Sequence, residues 1–128
     1  MASRIQNAGL ANLTTAWHGY ASRPLHLQWG TGSGAAATAN VVTTTTTTEA
    51  HTAGTSAQQT TTVTNDTYQV TGTITALGTR AITEVGVFDA AGSGSPPTGG
   101  NMGIYGDFSV INLASGDSIA FTVKVAFT

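Results

Sequence analysis

The sequence predicts a mainly β protein: an antiparallel β-sandwich or barrel, jelly-roll-like, with one short helix at its N-terminus. Three observations predict it. From Pro24 onward apolar residues recur with a period of two, the mark of half-buried strands. Clusters of Gly, Ser, Asn, Asp and Pro cut that pattern into short segments. A helical spacing is confined to the first 20 residues. At 128 residues the chain makes a single domain, with an N-terminal arm and amphipathic helix over 1–23 packed on a β domain over 24–128.

The elements follow in order. Leu10, Leu13 and Trp17 share one helical face, Asn7 stands where a cap is expected, and Gly19 is a plausible stop, so a helix is expected over Asn7–His18. Leu25, Leu27 and Trp29 alternate with His26 and Gln28 in a first strand, with Trp29 turned toward the core. After the small-residue loop Gly30–Gly34, a strand is expected over Val41–Glu49, which contains six consecutive threonines, Thr43–Thr48. Its two faces are alike, so nothing within it fixes a register. Gln59–Thr64 and Thr67–Ala76 flank the turn pair Asn65-Asp66 and suggest a hairpin, with Tyr68, Val70, Ile74 and Ala76 on one face. Ala81–Asp89 is apolar on both faces and belongs in the middle of a sheet. Beyond the loop Ala90–Asn101 lie strands at Met102–Ile111 and Ser118–Phe127, linked through Ser115-Gly116-Asp117. In the last, Ile119, Phe121, Val123, Val125 and Phe127 point inward.

Composition narrows the function. Only 8% of residues are charged, against about 25% in an ordinary soluble domain, while threonine fills 25 positions. Such a surface is either hydroxyl-rich and wet or covered by other subunits; we read it as the second, because charge is depleted at interface centres. Four Lys and Arg residues supply no clustered positive charge for direct nucleic-acid binding. No apolar run approaches the ~18 residues of a membrane span, and Met1-Ala2-Ser3-Arg4 lacks the apolar core of a secretory signal. There is no cysteine, hence no disulfide, thiol nucleophile or cysteine metal site.

Chemistry-bearing patterns are sparse. His18, His26 and His51 fall at no metal-ligating spacing. No GxSxG elbow is present, and Gly30–Gly34 lacks the Lys-Ser/Thr of a phosphate loop. Glu84 could form a glycosidase pair with Asp89 or Asp107 only if folding joined them; a structural ion pair between Glu84 and Arg80 is the simpler expectation. Asn12-Leu13-Thr14 and Asn65-Asp66-Thr67 match the glycosylation pattern without a secretory context. No enzyme and no cofactor is expected.

Several phrases occur in one order: Leu27-Gln28-Trp29-Gly30-Thr31-Gly32, Thr67-Tyr68-Gln69-Val70-Thr71-Gly72-Thr73-Ile74-Thr75, Ala81-Ile82-Thr83-Glu84-Val85-Gly86-Val87-Phe88-Asp89-Ala90 and Phe108–Ile119, preceded by Asn7-Ala8-Gly9-Leu10 opening a helix. Together they resemble the capsid decoration (cement) proteins of tailed bacteriophages. The phrase around Glu84 is also similar to phage tail-fibre and collar-type proteins. The resemblance implies a small β-rich subunit, commonly a homotrimer, on the outer surface of the capsid, where it bridges major capsid protein subunits. The alternative it leaves open is a tail-fibre or receptor-binding module for host glycans. Interface energy concentrates in aromatic side chains, so Trp17, Tyr20 and Tyr105 are candidate capsid or subunit contacts, with core filling as their other possible role. Thr43, Thr44, Thr45, Thr46, Thr47 and Thr48 are candidates because their segment needs an outside partner to set its register.

Overall fold

The structure, a computed structural model, describes residues 2–45 and 49–128. Its elements run α1 (Asn7–Gly19), β1 (His26–Gly30), β2 (Thr52–Ala53), β3 (Thr55–Gln59), β4 (Thr67–Thr75), β5 (Arg80–Phe88), β6 (Met102–Leu113) and β7 (Ser118–Ala126). All ladders are antiparallel and build two sheets, one in the order β2-β1-β5-β6 and the other β3-β4-β7. The result is a β-sandwich with one N-terminal helix.

The helix starts one residue away from the expected cap. Gln6 occupies the N-cap position in an extended conformation, Asn7 is already helical, and no side chain caps the first turn. Leu10 and Thr14 are buried on its inner face. Trp17 stacks on Tyr68 of β4 with ring centroids 4.9 Å apart and lies 5.7 Å from Phe127. Polar contacts fix the angle of docking: Gln58 Nε2 donates to Thr15 Oγ1 at 2.9 Å, and Ser56 Oγ bonds His18 Nδ1 at 3.0 Å while accepting from Arg23 Nε at 2.9 Å. Ser56 and Gln58 stand directly opposite Val70 and Tyr68, so the helix lies on the core face of its sheet.

One side of the sandwich is covalently closed. β2 is the edge of the four-stranded sheet and β3 the edge of the other, yet only Gly54 separates them, so a single extended stretch bends from one sheet into the next. The bend brings backbones close: Gly54 N–H donates to the Leu25 carbonyl at 2.8 Å, and a Cβ at Gly54 would stand 2.7 Å from the Thr71 carbonyl oxygen. On the opposite side β6 and β7 are both edges, joined along the chain by the link Ala114–Asp117 at one end. There the Ala76 N–H donates to the Asp117 carbonyl at 2.8 Å.

The core sits between the sheets. Leu27, Trp29, Tyr68, Val70, Ile82 and Val87 are almost fully buried in it; alternation places those of β1 and β4, and an irregularity between Ile82 and Glu84 lets Ile82 share the core with Val87. The other face of β5 is buried too, beneath the described parts of the loops over 31–45, 49–51 and 89–101. Phe88 meets the His51 ring at 4.6 Å, a Cβ on Gly86 would touch Val42 and Met102, and Gln28 Nε2 of β1 donates to the Pro97 carbonyl at 2.8 Å. Coverage on both faces explains the apolar character of β5, and its place between β1 and β6 is the central one its sequence predicts.

Two expected elements are corrected. The hairpin's first arm is Thr55–Gln59, upstream of the expected Gln59–Thr64. Residues 60–66 form a loop instead, because Asp66 captures the N–H groups of Thr61, Thr62 and Val63 at 2.8, 2.9 and 2.8 Å. The strand expected over Val41–Glu49 is absent from its described residues apart from a single bridge between Thr45 and Gly30. The N–H groups of Thr43 and Thr44 bond a carboxylate rather than a neighbouring strand.

Candidate functional site

That carboxylate belongs to Glu84, on the covered face of β5. Its Oε1 accepts from Thr44 N–H at 2.9 Å and Gly32 N–H at 3.0 Å, and its Oε2 from Tyr105 Oη at 2.8 Å and Thr43 N–H at 3.0 Å. Burial pushes the Glu84 carboxyl up, but these four donors outweigh it and hold the group below the usual carboxylate range. Glycine is required beside it at position 30, where a Cβ would collide with the carboxylate itself. Burial and the Glu84 carboxylate both push the Tyr105 phenol up.

The ion pair expected between Glu84 and Arg80 is not formed. Both lie on β5, four residues and therefore ~13 Å apart along a strand. Arg80 Nε instead reaches Glu49 at 3.1 Å, and the same carboxylate accepts from Leu77 N–H at 2.9 Å. Glu49 was missed as a partner because it is distant in sequence.

The other titratable groups also serve the protein's own backbone. Asp66 is held far below the usual range by the N–H groups of Val63 and Thr61. Asp89 accepts from Asn101 N–H at 2.7 Å and Asn101 Nδ2 at 2.9 Å, closing the loop between β5 and β6, and these bonds lower its carboxyl. His51 Nδ1 accepts from Gly92 N–H at 2.9 Å, and burial pushes its ring pKa down. Among the described residues no three His, Asp or Glu side chains gather in a way that could hold a metal ion.

The candidate aromatic contacts separate into two kinds. Tyr20 is 60% exposed, and with the half-buried Trp17 and exposed Leu13 it rims an apolar hollow floored by Phe127. Tyr105 is half-buried, and its hydroxyl is committed to Glu84. Trp29 lies in the core, as its strand position predicts. Thr43 and Thr44 expose their side chains above the Glu84 anchor, and Thr45 is half-buried; Thr46, Thr47 and Thr48 lie outside the described residues.

A second uncovered apolar surface is a groove of about 540 Å³ along the open side of the sandwich. Ile104, Phe108 and Ile111 of β6 form one wall, and Ile119, Val123 and Val125 of β7 the other. Phe108 and Phe121 meet across its floor with centroids 6.1 Å apart. The inward direction of the β7 residues is what their alternation predicts; that they remain half-exposed is visible only once the sheets are assembled. No protein-family model, curated protein or solved structure matches the chain.

Proposed function

We propose that this chain is a structural virion protein, a decoration subunit that binds the outer surface of a tailed-phage capsid as a homotrimer and stabilises it by bridging major capsid protein subunits. The observation that carries the reading is a charge-poor β-sandwich with two uncovered apolar surfaces, the helix hollow and the β6–β7 groove. Apolar area left open on so uncharged a body marks a surface made to be covered. The resemblance of its ordered phrases to those of decoration proteins points the same way. The buried carboxylates Glu49, Glu84 and Asp66 are engaged by the protein's own donors, which suits a scaffold more than a reaction centre.

The mechanism is mass action. A subunit that binds the assembled shell more tightly than its dispersed parts stabilises the shell by the difference. Tyr20, Trp17 and Leu13 supply anchors on the helix side. Thr43 and Thr44, held from beneath by Glu84 and with the Thr43 hydroxyl donating to the Ser33 carbonyl at 3.1 Å, present exposed side chains to a neighbour with little ordering left to do. The test is to add the purified protein to capsids lacking it and to heat them. The expected result is binding to mature shells and DNA release at a higher temperature. Equal release temperatures with and without the protein overturn the reading, and immunogold labelling confined to the tail tip replaces it with the glycan-binding alternative.

A further inference from the structure

The core is sealed on one side of the sandwich and open on the other. Leu27, Ile82 and Val87 have no exposed surface, whereas Ile111 is 40% exposed and Ile119, Val123 and Val125 are half-buried. The open side has two rims, and both are strand edges. β6 pairs only with β5, and β7 only with β4. Among the described residues no loop backbone bonds to the backbone of either strand; the Gly34 N–H donates to one carboxylate oxygen of Asp107 at 3.0 Å, and Asp107 remains exposed. Each rim therefore presents a row of free N–H and C=O groups beside an apolar trough, an arrangement that solitary proteins avoid.

Charge selects what fills it. Asp107 is the one charged residue of β6 and Lys124 the one charged residue of β7. Both are exposed, and both face outward: Asp107 stands opposite Glu84, and Lys124 opposite Gln69, the neighbour of inward-facing Tyr68. The Phe108–Phe121 contact fixes their levels. The two strands run in opposite directions, so Asp107, one residue before Phe108, and Lys124, three after Phe121, lie on the same side of that contact. They are offset by about two residues, the spacing of a diagonal cross-strand pair that a long side chain spans.

A twofold rotation about an axis parallel to the strands sets β6 of one copy beside β7 of the other, antiparallel, on both sides at once. It carries the outer face of one sheet into the outer face of the other, so Asp107 meets Lys124 of the partner subunit twice. Rotation about the sheet normal would place β6 against β6 and lose this match of opposite charges. Asp107 also lies cross-strand from Glu84, and the arriving ammonium relieves that acidic pair. A threefold arrangement with the grooves turned to the axis makes the same β6–β7 pair between successive copies.

We propose that the β6–β7 groove is the surface through which copies of this chain join, β6 of one pairing antiparallel with β7 of the next and Asp107 seated beside Lys124 of the partner subunit. The self-association in the function proposed above thereby gains a location; the capsid plays no part in it. The test is sedimentation equilibrium on the purified chain, with Asp107→Lys, Lys124→Asp and the double exchange. Wild type is expected above its monomer mass of 12.9 kDa. Each single reversal should weaken association roughly tenfold, and the double exchange should restore it. Both positions are exposed, and unchanged circular dichroism confirms that the variants fold. A monomeric wild type, or an oligomer indifferent to the single reversals, overturns the groove interface. Neither result touches capsid protection, which the heating experiment reads separately.

Discussion

At the scale of single residues, Glu84 is the most consequential side chain. Four donors converge on one buried carboxylate, and removing its charge would leave several of them poorly paired in a dry environment. Glu84→Gln is expected to lower stability at neutral pH by about 2–3 kcal/mol, read by urea unfolding. The pH dependence has a definite sign. A carboxyl whose folded pKa is depressed contributes stability above its unfolded pKa and loses it as the pH falls through the folded value. The gap between wild type and Glu84→Gln should therefore narrow in acid; a constant gap from neutrality into acid would show that the carboxylate's charge is not what holds the Thr43–Thr44 segment. Arg80 illustrates the limit of local reasoning. The i to i+4 spacing that joins two charges on a helix separates them on a strand, which the β5 assignment already implied.

Among the elements, the helix is held to the sheets by its buried Leu10 and Thr14, the Trp17 aromatic stack and a few polar contacts. Trp17 is the largest apolar group in that joint, packed on Tyr68 and Phe127. Trp17→Ala is expected to cost about 2–3 kcal/mol, seen as a lower melting temperature. An unchanged melting temperature would mean that the helix contributes nothing to the fold. β1, β4, β5 and β7 were legible in the sequence because alternation along a strand depends on its own residues. The polythreonine segment was not legible. Its β-branched residues favour extended backbone, but extended backbone becomes a strand only beside a partner, and Glu84 took two of its N–H groups first. The hairpin's start was displaced for a related reason, since Asp66 organised the loop before it.

Across the whole molecule, sheets, helix and covering loops share interior surfaces, so they should unfold together. The two tryptophans permit a direct check, one at the helix joint and one in the sandwich core. Single-tryptophan variants, Trp17→Phe and Trp29→Phe, are expected to give coincident fluorescence and circular dichroism transitions within each variant. A separate early loss of the Trp17 signal would show the helix to be an independent unit. The same scale displays an asymmetry that no single element contains. Gly54 lets one stretch of chain close one side of the sandwich, and nothing among the described residues closes the other.

By itself the sequence determined the mainly β class, the place of the helix, the inward faces of β4 and β7, and the central position of β5. These depend on the order of residues within a few positions, because side-chain direction alternates with a fixed period along each strand. Only the tertiary structure decided which donors Glu84 would gather, that Arg80 would pair with Glu49, and that the apolar residues of β6 and β7 would line an open groove. Each of those outcomes depends on segments far apart in the chain arriving at one place, and no local pattern records which segments will meet.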